Sequence, residues 1–206
     1  MKRTAEGDND KDKEKEKEET SLRPDPQFID LNDYVERKNT ECLNEKRRES
    51  CRDIIWSTNK KPLESDADEQ LLIKIHFMNE VRLHSFKLTA QLDGRAPKTV
   101  KLFVNMPDMD FSDAEKEKPV QTLTFKEEDY QEVFHGKVRK NTNGEEPQRR
   151  FGTTLKNLEY VKFQKVYTVT IFIVDNVKGG DTTALTSLQF FGKHAKSITK
   201  VETVIE

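Results

Sequence analysis

The chain has 206 residues, 33% of them hydrophobic and 36% charged, with a formal net charge of −2. That length fits one domain with tails, and that polarity is too high for every residue to join a packed core. The near-balanced charge gives no electrostatic case for nucleic acid, and no stretch approaches the ~20 apolar residues of a membrane span.

The charge is concentrated at the start. Met1–Thr20 reads MKRTAEGDNDKDKEKEKEET. Its Glu–Lys pairs support at most a transient solvated helix, and it has too little apolar surface to offset chain ordering. Residues 1–25 are therefore expected to be a disordered leader. The segment lacks the apolar core of a secretory signal, and its acids argue against a mitochondrial presequence.

Pro24 and Pro26 mark a break. Phe28, Leu31 and Val35 then share helical spacing, which predicts a short helix or turn at the core edge. The stretch 40–55 is mixed and holds both cysteines, Cys42 and Cys51. Their spacing matches neither a Cys-x-x-Cys redox site nor a zinc site. Two buried or half-buried, reduced thiols are the expectation, with one functional thiol or a redox pair as the alternative. Trp56, the only tryptophan, is expected to pin the polar loop 57–61.

From Leu71 onward the pattern is that of strands. Leu71, Ile73, Ile75 and Phe77 alternate with Leu72, Lys74 and His76, which assigns them to opposite faces of a sheet. Just before them stand Glu64, Asp66, Asp68 and Glu69. This acidic rim reads as a solvated or capping loop, a protein-docking edge or a cation site; a helix–loop–helix calcium loop would need a central Gly that is missing. Residues 81–92 alternate and then change register, predicting a bulge near His84–Ser85. A turn at 93–97 leads to a strand carrying Val100, Leu102 and Val104. The loop 105–113 holds Met106, Pro107, Met109 and Phe111, apolar for a connector, and suits either a partner anchor or a plug for the sandwich end. A charged connector (114–119) and a strand (120–125) follow.

Residues 126–158 are rich in Gly, Asn, Lys and Arg beyond a helical turn near 127–133, and are expected to form a surface insertion. Structure resumes at 160–164, 166–174 and 184–191, closed by Gly192, with a short tail at 193–206. About seven short strands without interleaved long helices indicate an antiparallel all-β sandwich or jelly roll over residues 26–192.

No catalytic constellation is legible. His76, His84, His135 and His194 form no His-x-His or His-x-carboxylate pair. Gly179-Gly180 are followed by Asp-Thr-Thr rather than by the Gly-Lys of a phosphate loop. No catalytic residue, cofactor or metal is expected.

Four blocks occur in order: ECLNE (41–45), LESDADEQLLI (63–73), PKTVKLFVN (97–105) and YVKFQ (160–164), with Met109-Asp110-Phe111 and Asp181-Thr182-Thr183 between or after them. From about Phe28 to Gly192 this series resembles the PITH domain, the C-terminal module of proteasome-interacting thioredoxin-like proteins. The resemblance implies a galactose-binding-like jelly roll. It also implies a non-catalytic, monomeric adaptor or regulator that binds the regulatory particle of the 26S proteasome in cytosol and nucleus. The thioredoxin Cys-x-x-Cys of the fused members has no counterpart in this sequence, so redox activity is not implied. The rim Glu64, Asp66, Asp68 and Glu69 and the loop Met106, Pro107, Met109 and Phe111 are the candidate partner-binding residues. A carbohydrate- or small-ligand-binding jelly roll, cation-assisted and stacking its ligand on Trp56 or Tyr34, is the rival reading. An enzyme using Cys42 or Cys51 is the third.

Overall fold

One strand organises the molecule. In the computed structural model, which describes residues 22–56, 61–133 and 150–194, β4 runs unbroken over Leu71–Gln91. Its first part pairs with β2 (Glu41–Leu43) on one side and β9 (Val166–Asn176) on the other. Its second part pairs with β11 (Ser187–His194) and β8 (Phe151–Asn157). The stretch between, Phe77–Glu80, carries the chain from one layer to the next. What the sequence presents as two strands is one, shared by both layers.

The first layer therefore runs β2–β4–β9–β5–β6, with β5 at Pro97–Val104 and β6 at Gln121–Thr124. The second runs β1–β11–β4–β8–β7, with β1 at Ile29–Asp30 and β7 at Gln131–Val133. Every pairing is antiparallel, and the expected sandwich is what forms. A two-stranded pair, β3 (Leu63–Glu64) with β10 (Ala184–Leu185), closes one end. Helix α1 spans Ser50–Trp56.

The core lies between the layers and follows the period-two pattern. Leu71, Ile73, Ile75, Phe77, Val81 and Leu83 are buried there, and then the phase changes to Phe86, Leu88 and Ala90. The cause is the predicted bulge: Phe191 faces Ser85 and Gly192 faces Leu83, leaving His84 as the extra residue. A Cβ on Gly192 would sit 2.0 Å from the Arg82 carbonyl oxygen, so the close approach beside the bulge requires glycine.

Alternation alone would leave Leu72 outside, yet it is fully buried with Phe103 and Phe172 on the outer face of the first layer. The cover is Met109, Ala114 and the helix α2 (Phe111–Lys116). This helix occupies what the sequence suggests is loop and charged connector. It starts with a capping box, in which Asp110 accepts from the Asp113 amide at 2.8 Å and Asp113 accepts from the Asp110 amide at 3.1 Å.

Three further expectations sharpen or change. Residues 28–36 form the short strand β1 ahead of a 3₁₀ turn at Asn32–Tyr34, so of the expected helix or turn it is the turn that forms. The 160–164 block is a 3₁₀ turn, Tyr160–Phe163, with Phe163 fully buried. The supposed insertion at 126–158 contains a 3₁₀ turn (Glu127–Asp129) and the β7–β8 pair, and it completes the second layer with Gly152, Thr153 and Thr154 buried. Its segment 134–149, the leader to Ser21, loop residues 57–60 and the tail from Ala195 lie outside the described residues.

Candidate interaction surfaces

The strand directions place the candidate residues at opposite ends. β5 begins at the end that holds the acidic rim and finishes at the Met106 loop; its eight residues span roughly 25 Å. The rim and the loop are two sites, not one patch.

At the acidic end the organiser is Asn44, in the left-handed region with φ 66°, a conformation Asn tolerates better than most residues. Its side-chain amide donates to Asp68 Oδ1 and the Gln70 carbonyl, both at 2.7 Å. Its side-chain oxygen accepts from the Ala67 amide, and its own carbonyl accepts from the Asp66 amide. Neighbouring Glu45 accepts from the Cys51 amide and the Ser50 hydroxyl, fixing the start of α1. The ECLNE and LESDADEQ blocks are thus halves of one hydrogen-bonded unit. The Asp-Thr-Thr block joins them: Ser65 and Thr183 exchange two bonds, amide to carbonyl at 3.0 Å and amide to hydroxyl at 2.9 Å. Asn176, buried, holds the 176–183 loop through Gly180 and Thr182.

This geometry redistributes the rim. Glu64 is half-buried and is held by Arg95 at 2.7 Å, with Lys46 at 3.9 Å. Arg95 also grips Asp93 at 2.8 Å. Burial would raise the Asp93 pKa, but the hydrogen bonds and charge of Arg95 outweigh it and hold the carboxyl below its usual 3.8. Asp68 caps the Gln70 amide. Glu69 is half-buried, and Asp66 presents an exposed carboxylate. Among the described residues no acidic, His or Cys group is gathered closely enough to hold a metal ion.

At the other end Asn105 repeats the device, with φ 58°. Its side-chain oxygen accepts from the Tyr167 amide at 2.9 Å and its amide group donates to the Lys165 carbonyl at 2.8 Å. The Met106 carbonyl accepts from the Thr170 hydroxyl. Met106 and Pro107 therefore project from a loop latched onto β9, beside Tyr167, 52% exposed, whose hydroxyl donates to Glu80 at 3.0 Å. Met78, 59% exposed, stands near Glu80 where β4 changes layers. Met109 and Phe111 do not share this surface: Met109 is 3% exposed in the cluster over Leu72, and Phe111 packs edge-on against Phe172. They form a lid over the outer face of the first layer, while Met106 and Pro107 stay exposed.

The other candidates are engaged internally. Cys42 and Cys51 are buried and free. Burial pushes the Cys51 thiol up to about 12 and that of Cys42 well above its usual value, so neither supplies a thiolate near neutrality. Trp56 donates to the Asn32 carbonyl with the Arg37 guanidinium over its ring, and Tyr34 stacks on His194. One face of each proposed sugar platform is already taken.

Sequence reasoning missed Asn44, Arg95, Asn105, Asn176 and Tyr167. The asparagines carry a weak local signal, as polar residues able to adopt positive φ between strands; the reach of Arg95 to Glu64 is long-range and has none.

A family profile for the PITH domain matches residues 23–206. The chain belongs to the PITH domain family. Thioredoxin-like protein 1 of Schizosaccharomyces pombe is 33% identical over 177 residues, covering 84% of this chain and 54% of its own length. PITH domain-containing protein 1 of Mus musculus is 31% identical over 160 residues, covering 73% of this chain and 63% of its own. The PITH chain thus spans between half and two thirds of the length of these relatives. Among solved structures it is similar to the family 32 carbohydrate-binding module of Clostridium perfringens NanJ in complex with galactose, at TM-score 0.52 and 8% identity over 80% of this chain and 98% of that one. An F5/8 type C domain from Bacteroides fragilis gives TM-score 0.52 and 11% identity, covering 83% and 100%. At such identities these neighbours show that the PITH chain has their jelly-roll fold.

Proposed function

We propose that this PITH domain is a non-catalytic adaptor that docks on the regulatory particle of the 26S proteasome, in cytosol and nucleus. Family membership carries the reading, and the site chemistry accords with it: the thiols are protonated and buried, and the polar side chains at the acidic end are spent on holding loops. The docking anchor is the latched end with Met106, Pro107, Tyr167 and Met78. Flexible thioethers and an amphipathic ring yield contact energy at low ordering cost. Asp66, Asp68 and Glu69 at the far end steer approach and contribute little affinity in salt.

Co-sedimentation with purified 26S proteasomes tests this. Wild-type protein is expected to bind, Met106→Asp combined with Tyr167→Asp to lose at least ten-fold in affinity, and Asp66→Lys with Asp68→Lys to weaken association mainly at low salt. Failure of the wild-type chain to bind intact regulatory particles would refute the proteasome reading; full binding by the Met106/Tyr167 variant would move the anchor elsewhere.

A further inference from the structure

The outer face of the second layer has an unusual charge arrangement that the docking reading does not use. Because His84 is the bulged residue and Leu83 and Phe86 point inward, Arg82 and Lys87 point outward on β4, with Ser85 fully buried between them. Across the sheet Arg82 faces Lys193 on β11, and Lys87 lies between Gln189 on β11 and Leu155 on β8. Like charges directly opposed on neighbouring strands repel. Yet Arg82, Lys87 and Lys193 enter none of the ion pairs formed among the described residues. Lys87 is half-buried, and burial alone draws its ammonium below the usual 10.5, the behaviour of a charge that has lost water without gaining a counter-ion.

Beside this row lies a cavity of about 320 Å³ lined by Arg23, Asp25, His84, Leu155 and Asn157. Leu155 is the cross-strand neighbour of Lys87, so the cavity and the cations are contiguous. One wall is rigid. His84 stacks on Phe28 at 3.8 Å, Tyr160 meets the His84 ring at 6.0 Å, and the Lys193 ammonium lies 5.3 Å above Phe28. The acids of this region are engaged: both Asp25 carboxylate oxygens accept from Gln27, with Lys193 close enough to favour the ionised carboxylate, while Asp30 holds the Asn32 amide and the Gln189 side chain.

We propose that the outer face formed by β11, β4 and β8 binds an extended acidic peptide segment. Its carboxylates would meet Lys87 and the Arg82–Lys193 pair, and a side chain between them would enter the cavity over Leu155. Spacing argues for a peptide over a single small anion: Arg82 and Lys87 are separated by roughly 13 Å along the strand once the bulge is discounted, which matches carboxylates four residues apart, on the same face of an extended chain. The inference is independent of where the domain meets the proteasome, since Met106 and Tyr167 take no part in it.

The test is fluorescence anisotropy of a labelled decapeptide of alternating Glu and Ser, titrated with the full chain at 50 mM salt. Saturable binding is expected, weakened at least ten-fold by Lys87→Gln with Lys193→Gln, weakened measurably by Lys193→Gln alone, and changed less than two-fold by Lys118→Gln, an exposed lysine outside the face. No binding, equal loss with Lys118→Gln, displacement by inorganic phosphate at matched charge, or tighter binding of a dT decamer would each overturn the proposal. Because Met106→Asp with Tyr167→Asp should leave peptide binding intact, failure here is distinguishable from failure of the docking reading.

Discussion

At the acidic end of the sandwich, Asn44 sits at φ 66° and spends its side chain on the backbone and carboxylate of the rim; at the other, Asn105 sits at φ 58° and latches its loop to β9. The device is the same but its product differs. The first end turns its polar groups on each other: Glu64 to Arg95, Ser65 to Thr183, Asn176 to Gly180 and Thr182. The second holds a short loop still and leaves Met106 and Tyr167 open to solvent. An end that satisfies itself is a structural lock; an end that fixes apolar side chains in water is a surface for a partner.

Four changes would break or sharpen this contrast. Asn176→Ala removes a buried amide that serves several backbone groups, and should cost about 3 kcal/mol, with each orphaned partner contributing; a loss below 1 kcal/mol in urea unfolding would show that the acidic end is not locked. Within the other loop, Met109→Ala should cost about 2 kcal/mol through the cavity it leaves over Leu72. Met106→Ala, three residues earlier and exposed, should stay within about 0.5 kcal/mol in the same measurement. Equal effects would erase the division between lid and anchor. A further change concerns acid. Asp93 has a depressed folded-state pKa, so its stabilising contribution is complete above its usual 3.8 and is lost as pH falls through the lower folded value. Arg95→Gln should remove about 1 kcal/mol at neutral pH and flatten that acid arm; an unchanged arm would mean that Arg95 does not hold Asp93 in solution.

Much of this was legible in the sequence. Period-two alternation found the strands, and the phase change at 81–92 located the bulge, because both are local consequences of which side chains point inward. The helix α2 was not found: six residues are too few to show helical periodicity, although Asp110 and Asp113 have the spacing of a capping box. The β7–β8 pair was hidden because Thr153 and Thr154 are polar yet buried, which breaks the alternation, and because Gly152 packs against Leu92 and Tyr130. Of the site, residue types could nominate the rim and the Met/Phe loop. They could not show that Glu64 is paired, that Met109 is buried, or that the two segments lie at opposite ends, since each fact depends on contacts distant in sequence.

A chain that lends one continuous strand to both layers has no seam along which to come apart. Stretching or heating that loosens Leu71–His76 from β9 also strains the register of Val81–Gln91 against β11 and β8. The domain should therefore yield in a single step, without a half-open form that exposes its aromatic interior.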